Sequence, residues 1–549
     1  MKVLTFFKEK QNQLLKDIIV NGFFYLMIFL FYLSGITLVL MVTSHDSIIN
    51  LPIIRDKLYG FTGVVLIRQV PSLMLGFSLL ICGRAIGNRY QKAFFPTLIF
   101  LLLSFIYTLF FYSSVFPSLL LSLLIAFLCF SRSLLYRQQL IITAEDGLLD
   151  GLIWLFLIIS YFLLGYRNLV GRNHPVRVPV AEHFSVPSLH WWFMGLLGLL
   201  VMILSLLIFM ISLKKRRHYI GQVFDQQRYL AVLEKGDHHY SNLAFLGDKR
   251  IWYFQKDGQD MMALQFKPIG DKLLVMGDFI GDQTYFDQAL SAFMTEADTY
   301  NFHPVFYEIS ESQVLSIHDY GFDFIKLGEE GMVSPENFTL SGKKRQNLRS
   351  VTNQVTKAGF QFQVVSPPYN QAFLEELSKV SKDWLNGRQE MSFSLGNFDP
   401  AYLSHADMAT LSNVDGEVVA FASLEYSKSE DSLSVDLMRY SKEAPKGVMD
   451  VLFIQIITYA KERGISSFNI GMSPLSKVGQ YRFSFFTEKL GHLLYRYGSQ
   501  IYSFNGLRKY KEKFAHYWVP YYIAYPKQTL FPLVILALLK ASYQSDKKN

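Results

Sequence analysis

Cysteine is nearly absent: two residues in 549, Cys82 and Cys129, both inside apolar runs. A disulfide framework or a cysteine-based zinc site is therefore not expected, and both residues read as small packing or lipid-facing groups. Several motifs of common enzyme classes are missing too. There is no HExxH, no GxxxxGK(S/T), no GxGxxG and no serine–histidine–aspartate set. Zincin, nucleotide-hydrolase, dinucleotide-dependent and serine-hydrolase chemistry therefore find no support, and neither a metal nor a cofactor is expected.

What is abundant is apolar. Hydrophobic residues make up 51% of the chain, with 48 Phe and 32 Tyr. They crowd into the stretch before residue 213, while the rest reads as a mixed soluble sequence. Two solvents imply at least two domains, as the length also does. Crossing a hydrocarbon core of about 30 Å takes about 20 apolar residues in a helix. Residues 21–42, 70–86, 94–112, 115–130, 149–166 and 190–213 reach or approach that length, with Ser113–Ser114 as a tight hairpin link. The first segment is too late and too long for a cleaved signal peptide.

Basic residues orient the segments. Lys8, Lys10, Lys16, Arg84, Arg89, Lys92, Arg132, Arg137 and Lys214 to Arg217 fall on one side of six crossings. Arg55, Lys57, Arg68, Arg167, Arg172 and Arg177 fall on the other. A multi-pass membrane protein with cytoplasmic N- and C-termini is expected. The net charge of +8 suits an anionic membrane surface, RNA or both. Arg84 and Asp150 lie at segment ends, either as marks of a lipid-headgroup pathway or as interfacial groups.

Past residue 217, strand-like and helix-like segments alternate. Strands are expected at 250–254, 261–266, 273–276 and 303–309, with a helix at 284–300. A second series holds a basic helix at 343–358 ended by Gly359, a strand at 360–365 and a helix at 370–385. Two strands follow within 414–426 around Asp415–Gly416, then a strand at 433–440. Residues 447–463 form a helix that is apolar almost all round, so it should be buried, and a strand follows at 467–470. That strand–helix–strand unit favours a partly parallel sheet. The expected division is 1–217 as a six-helix transmembrane domain, 218–335 as a first lobe and 336–549 as a second, both acyltransferase-like. The apolar run 530–539 is too short to span; it either lies on the membrane as an amphipathic segment or packs onto the lobe.

Specific strings also occur: LAFLGDK at 243–249, MGD at 276–278, Phe306–Tyr307, LGE at 327–329 and FSLG at 393–396. Phe398–Asp399, Tyr402–Leu403, SVDLMRY at 434–440, APKGVMD at 444–450 and FNIGMSPLSKVG at 468–479 follow. The set ends with YSFNGLRKYKEKF at 502–514, Trp518, Pro520 and Ala524–Tyr525. On these residues the chain resembles the phosphatidylglycerol lysyltransferase family, also called the multiple peptide resistance factor family. The resemblance implies a membrane domain followed by an α/β tandem GNAT-like acyltransferase fold. It implies aminoacyl-tRNA as donor, the glycerol headgroup of phosphatidylglycerol as acceptor, and a less anionic surface that repels cationic antimicrobial peptides. Further N-terminal spans that flip the product are often present in the family; this chain is read as a short form without them. QEMSF at 389–393 departs from the family's usual Glu-Lys-Gly-Phe run, which bears on the amino acid used.

An aminoacyl ester is already activated, so the reaction needs only alignment, loss of the nucleophile's proton and oxyanion stabilisation. Asp436 and Arg439 are the first catalytic candidates, Asp436 for amine binding or as general base and Arg439 for the phosphate or oxyanion. Residues three apart on a regular strand face opposite ways, so both serve one site only if the strand bulges or ends between them. Glu390 and Asp450 are candidate substrate ligands; a solvated loop and a helix N-terminal carboxylate are the plainer readings. Arg508, Lys511 and Lys513, beside Tyr502, Phe504 and Tyr510, suit lipid phosphate or the tRNA acceptor end. Lys343, Lys344, Arg345 and Arg349 suit tRNA phosphates, with Arg345 and Arg349 on one helix face. Lysine as the transferred group leads, alanine and arginine stay open, and so does homo-oligomerisation. The rivals are a peptidoglycan-type aminoacyltransferase and a lipid transporter or scaffold with an inactive cytoplasmic domain.

Overall fold

Long apolar runs become helices in the first part of the chain, and alternating runs become strands in the second. The computed structural model describes residues 2–40, 66–107, 115–167, 189–214, 218–489, 492 and 504–543. Residues 1–218 with 298–301 form one unit, and 219–297 with 302–549 another.

The first unit holds the helices Lys2–Leu40, Leu66–Gly87, Phe94–Tyr107, Val115–Phe130, Ala144–Arg167 and Leu189–Lys214. They coincide with the six apolar segments. Two stretches, Ile18–Ile36 and Ala144–Leu163, are long and apolar enough to cross a membrane. The others carry shorter apolar stretches: Met74–Gly87, Gln91–Ile106, Ser118–Phe130 and Trp192–Leu204. Two of the six expected crossings thus meet the roughly 20-residue requirement by length and composition among the described residues. The Ser113–Ser114 link, Arg55, Lys57, Arg172, Arg177 and Lys215 to Arg217 lie outside the described residues. Large apolar side chains such as Phe29, Leu103, Leu119 and Leu152 point outward. That is the reverse of a water-soluble bundle. Arg84 donates to Asp146 at 2.6 Å and also to Asp150, so the two ionisable groups noted at segment ends are partners.

In the second unit the strands are β1 Gln222–Val223, β2 Arg250–Lys256, β3 Gln259–Ile269, β4 Lys272–Met276, β5 Ile280–Gly281 and β6 His303–Ile309. The series continues with β7 Phe322–Val333, β8 Gln361–Val365, β9 Asp407–Ser412, β10 Val418–Ser427, β11 Ser432–Tyr440, β12 Ser467–Pro474 and β13 Tyr517–Pro526. They make one 13-stranded sheet in the order β1-β2-β3-β4-β6-β13-β7-β12-β11-β10-β9-β8, with β5 on β3. The last strand, β13, lies between β6 and β7, so the sheet is continuous across residue 335. β4 runs parallel to β6, and β11 to β12. Each parallel pair needs a crossover, supplied by the helices Phe286–Thr299 and Val448–Glu462.

Val448–Glu462 is buried as its composition requires, with Val451, Leu452, Phe453, Ile456 and Ile457 in the core beside β10 to β12. Each such side chain contributes about 1.5–3 kcal/mol of burial. The helix Phe531–Tyr543 packs Val534, Ala537, Leu538 and Ala541 into a second core with Leu274, Met276 and Phe421. The apolar run at 530–539 therefore packs onto the unit.

The expected basic helix at 343–358 is in two parts: a 3-10 turn at Lys343–Arg345, then an α-helix from Gln346 to Lys357. Arg345 precedes the α-helix, so it does not share a helix face with Arg349. The first of the two strands expected within 414–426 ends earlier, at Ser412, and the turn at Asn413 to Glu417 follows it.

Two irregularities position the site. β11 and β12 pair at only three positions, Ser432↔Ser467, Leu433↔Phe468 and Ser434↔Asn469, and then part. On its other edge, β11 pairs Val435 with Leu424 and Met438 with Ala422, leaving Asp436 and Leu437 opposite Ser423 alone. Ser423 Oγ accepts the Leu437 N–H at 2.9 Å, which holds this bulge. Such a parting of the central strands is what the GNAT-like fold expected from the sequence requires.

Candidate active site

The bulge adds one residue between Asp436 and Arg439, and both side chains reach the stretch 381–402. Asp436 accepts the Gly396 N–H at 2.9 Å on Oδ1 and the Tyr402 hydroxyl at 2.7 Å on Oδ2. Gly396 is required here: a Cβ would sit 1.7 Å from Asp436 Oδ2. Glu425 Oε1 lies 3.0 Å from the same Tyr402 hydroxyl. One hydroxyl carries one proton, so the second carboxyl must bring its own. Burial, then the neighbouring Asp436, push Glu425 up to about 8. Burial also raises Asp436, against the Tyr402 and Gly396 hydrogen bonds that favour its anion.

Arg439 is 3% exposed. Its guanidinium donates to the Ser381 hydroxyl and to Glu390, and lies 5.2 Å from the Trp384 ring centre. Its Nε finds no partner among the described residues. Glu390 also accepts the Phe398 N–H at 3.2 Å. Glu390 is therefore committed to holding Arg439 rather than standing free for a substrate amine. Beside them Lys249 is fully buried, donating to Asp248 at 2.8 Å and to the Leu243 carbonyl at 3.0 Å.

A second buried polar group surrounds Glu330 on β7. It accepts from Tyr240, from Asn469 at 2.7 Å and from His239 at 3.1 Å. Burial raises its pKa, but His239 and these hydrogen bonds outweigh burial and hold it at about 2. Burial opposes the charge on His239, yet Glu330 and Glu430 raise its pKa well above the ordinary value. Glu308, at the end of β6, is raised to about 8 by burial and by Glu330. Its backbone is left-handed, φ 59°, and its Oε2 has no partner among the described residues. Lys511 donates to the Met472 carbonyl at 2.7 Å, just past the point where β12 leaves β11. Burial lowers it to about 7, against the pull of Glu330 and Glu308.

The other expected residues are placed differently. Asp450 pairs with Lys513 at 3.0 Å. Arg508 is buried, donating to Glu329 and to Ser476 at 2.9 Å and lying over the Trp518 ring at 3.2 Å. The run Arg508, Lys511 and Lys513 is thus no common basic surface: two members point inward and the third is neutralised. Tyr502 lies outside the described residues. Lys343 is exposed. Arg345 stacks on Phe338 at 4.3 Å, and Arg349 donates to the Leu340 and Gly342 carbonyls. Three ligand-type atoms of His238, His239 and Glu430 lie within 4.8 Å of one another. Hydrogen bonds and ion pairs among them account for that grouping.

Sequence reasoning missed Lys249, Tyr402 and Glu425 beside Asp436, and His239, Tyr240, Glu308 and Glu330 as the second buried group. A signal exists for two of them: Glu308 and Glu425 each interrupt a largely apolar strand, where an unpaired charge is costly.

Comparison with known proteins fits this arrangement. Residues 230–525 match the family model described as phosphatidylglycerol lysyltransferase, C-terminal. A phosphatidylglycerol lysyltransferase of Bacillus subtilis is 37% identical over 418 residues, 76% of this chain and 48% of that protein. One of Staphylococcus aureus strain MRSA252 is 30% identical, over 90% of this chain and 58% of that protein. The chain spans about half the length of the curated relatives it matches. A solved structure, described as L-PGS from Bacillus licheniformis, is 38% identical with a TM-score of 0.53, covering 60% of this chain and all of that one. With more than half of its length matched by the family model, the chain belongs to the phosphatidylglycerol lysyltransferase family.

Proposed function

We propose that the chain transfers an aminoacyl group, lysyl first among the candidates, from aminoacyl-tRNA to the glycerol headgroup of phosphatidylglycerol. The observation that carries this reading is the β11 bulge. It turns Asp436 and Arg439 toward the same stretch of chain, where β11 and β12 part. The lipid hydroxyl oxygen forms the new bond to the ester carbonyl carbon, and the ribose oxygen leaves with a proton. Arg439, with its Nε unpartnered among the described residues, is suited to donate to the developing oxyanion or a lipid phosphate. Asp436 is held by two donors, which favours amine binding over proton transfer. Lys511, near neutrality at pH 7, is suited to accept the hydroxyl proton. Asp436, whose anion the Tyr402 and Gly396 hydrogen bonds favour, supports a cationic acyl group such as lysyl.

The rest of the reading is as follows. Residues 218–335 and 336–549 are tandem GNAT-like lobes sharing one sheet. The apolar helices cross a bacterial membrane several times, with both termini cytoplasmic, where charged tRNA is available. Lys343, Lys344, Arg345 and Arg349 contact tRNA phosphates, with Arg349 the least available. Added amines lower the negative charge of the membrane and its attraction for cationic peptides.

The test is transfer by the purified full chain in phosphatidylglycerol vesicles, with a panel of charged tRNAs. Label from lysyl-tRNA should move to lipid, and Asp436→Asn should abolish the movement. Folded protein that transfers from no aminoacyl-tRNA would overturn the reading.

A further inference from the structure

Beyond β12 the chain makes a short, built turn with an unusual surface. Tyr481, Phe483, Phe485 and Phe486 are 79, 90, 78 and 81% exposed. Isolated exposed aromatics are ordinary, but four within six residues form a patch, and phenylalanine has no polar tip to justify it. The turn is held in shape. The Ser484 N–H donates to the Tyr481 carbonyl at 3.1 Å, and the Phe485 N–H to Glu488 at 3.3 Å. Gly479, at φ 64°, lies against Glu488; a Cβ there would sit 2.1 Å from its carbonyl oxygen. Exposed Arg482 and Lys489 flank the aromatics. The turn is tethered to the candidate site: Met472 holds Lys511, Ser476 holds Arg508, and the aromatics begin five residues later, at Tyr481.

We propose that this turn, residues 481–486, is a lipid-docking element that seats its aromatics in the interface of an anionic bilayer and so brings lipid to the splay of β11 and β12. Three observations select a bilayer as occupant. Aromatic rings flanked by Arg and Lys match the headgroup layer, apolar bodies below and cations at the phosphates. The chain itself carries two helices long and apolar enough to cross a membrane. A stacking platform for single-stranded RNA sets its aromatics in a basic groove, whereas here Glu488 sits between the two cations and phenylalanine predominates. The docking itself does not rest on the identity of the transferred group; only its purpose rests on the transfer reading.

The experiment uses the full chain with Cys82 and Cys129 replaced by serine, reconstituted in phosphatidylglycerol-containing vesicles. A single cysteine is placed by Phe485→Cys, or by Phe486→Cys should the first variant misfold, and by Val414→Cys as an exposed control on the Asn413 to Glu417 turn. Each is labelled with an environment-sensitive fluorophore. Nitroxide groups on the lipid acyl chains should quench the label at 485 or 486 several-fold more than at 414. Equal, weak quenching at all positions overturns the proposal, as does a label that responds to added tRNA but not to lipid. Quenching needs no turnover. An inactive protein with a quenched label would sink the transfer reading alone, and an active one with an unquenched label would sink only the docking element.

Discussion

Glu425 and Asp436 stand on neighbouring strands and share one hydroxyl, that of Tyr402, at 3.0 and 2.7 Å. A shared hydroxyl keeps two buried carboxyls apart in charge: one holds a proton, the other an anion. Replacing Tyr402 by Phe keeps the ring in its core and removes only that link. Thermal unfolding should report a loss of about 1–3 kcal/mol, the cost of leaving buried acceptors unsatisfied. Aminoacyl transfer should fall with it by more than the loss of folded protein explains. Unchanged activity in Tyr402→Phe would show that the network is structural only.

Lys511 gives the pH dependence its direction. Its folded pKa of about 7 lies below the ordinary 10.5. It therefore carries a proton in both states below pH 7, and between 7 and 10.5 only the unfolded chain binds it. Stability from this group is thus present above pH 10.5, declines as pH falls from 10.5 toward 7, and is gone below 7. If the neutral amine accepts the lipid hydroxyl proton, kcat should rise through about pH 7. Lys511→Arg, whose charge persists, should lose the rise together with most of the activity. A profile flat from pH 6 to 8 in the unsubstituted protein removes Lys511 from proton transfer.

Gly396 leaves no room for a side chain beside Asp436. Gly396→Ala should displace the carboxylate and cost about 1–3 kcal/mol through overpacking. Transfer should drop at least as far as in Asp436→Asn, measured on protein whose fold is checked by circular dichroism. An Ala variant as active as the original would mean that the Gly396–Asp436 hydrogen bond does not position the site.

In the first unit, Arg84 holds both Asp146 and Asp150, with all three side chains under a fifth exposed. Arg84→Met leaves two carboxylates facing each other without their cation, so the melting temperature in detergent should fall, by about 2–4 kcal/mol in stability. Asp146→Asn/Asp150→Asn in the same background should recover part of it. No loss in Arg84→Met would make the cluster a solvated surface group.

Much of this was legible from local pattern. The helix Val448–Glu462 is buried because almost every face of it is apolar. The condition placed on Asp436 and Arg439, that β11 bulge or end between them, is met by a bulge, with two residues opposite Ser423. What local pattern did not disclose is strand order. β7, whose middle carries Gly328, Glu329, Glu330 and Gly331, is absent from the expected strands, and nothing near residue 520 says that β13 inserts between β6 and β7. The Glu330 network joins residues 90 to 139 positions apart, so it appears only once the sheet is assembled. Arg508 and Lys511 read as surface cations for the same reason: their carboxylate and carbonyl partners come from distant strands.

Mass spectrometry of lipids from cells expressing the chain, beside cells expressing Asp436→Asn at equal level, tests the central claim most directly. The account predicts a new aminoacyl-phosphatidylglycerol, lysyl first, that is absent with the variant. Abundant, folded, membrane-inserted protein with no new aminoacyl-lipid of any kind would contradict it.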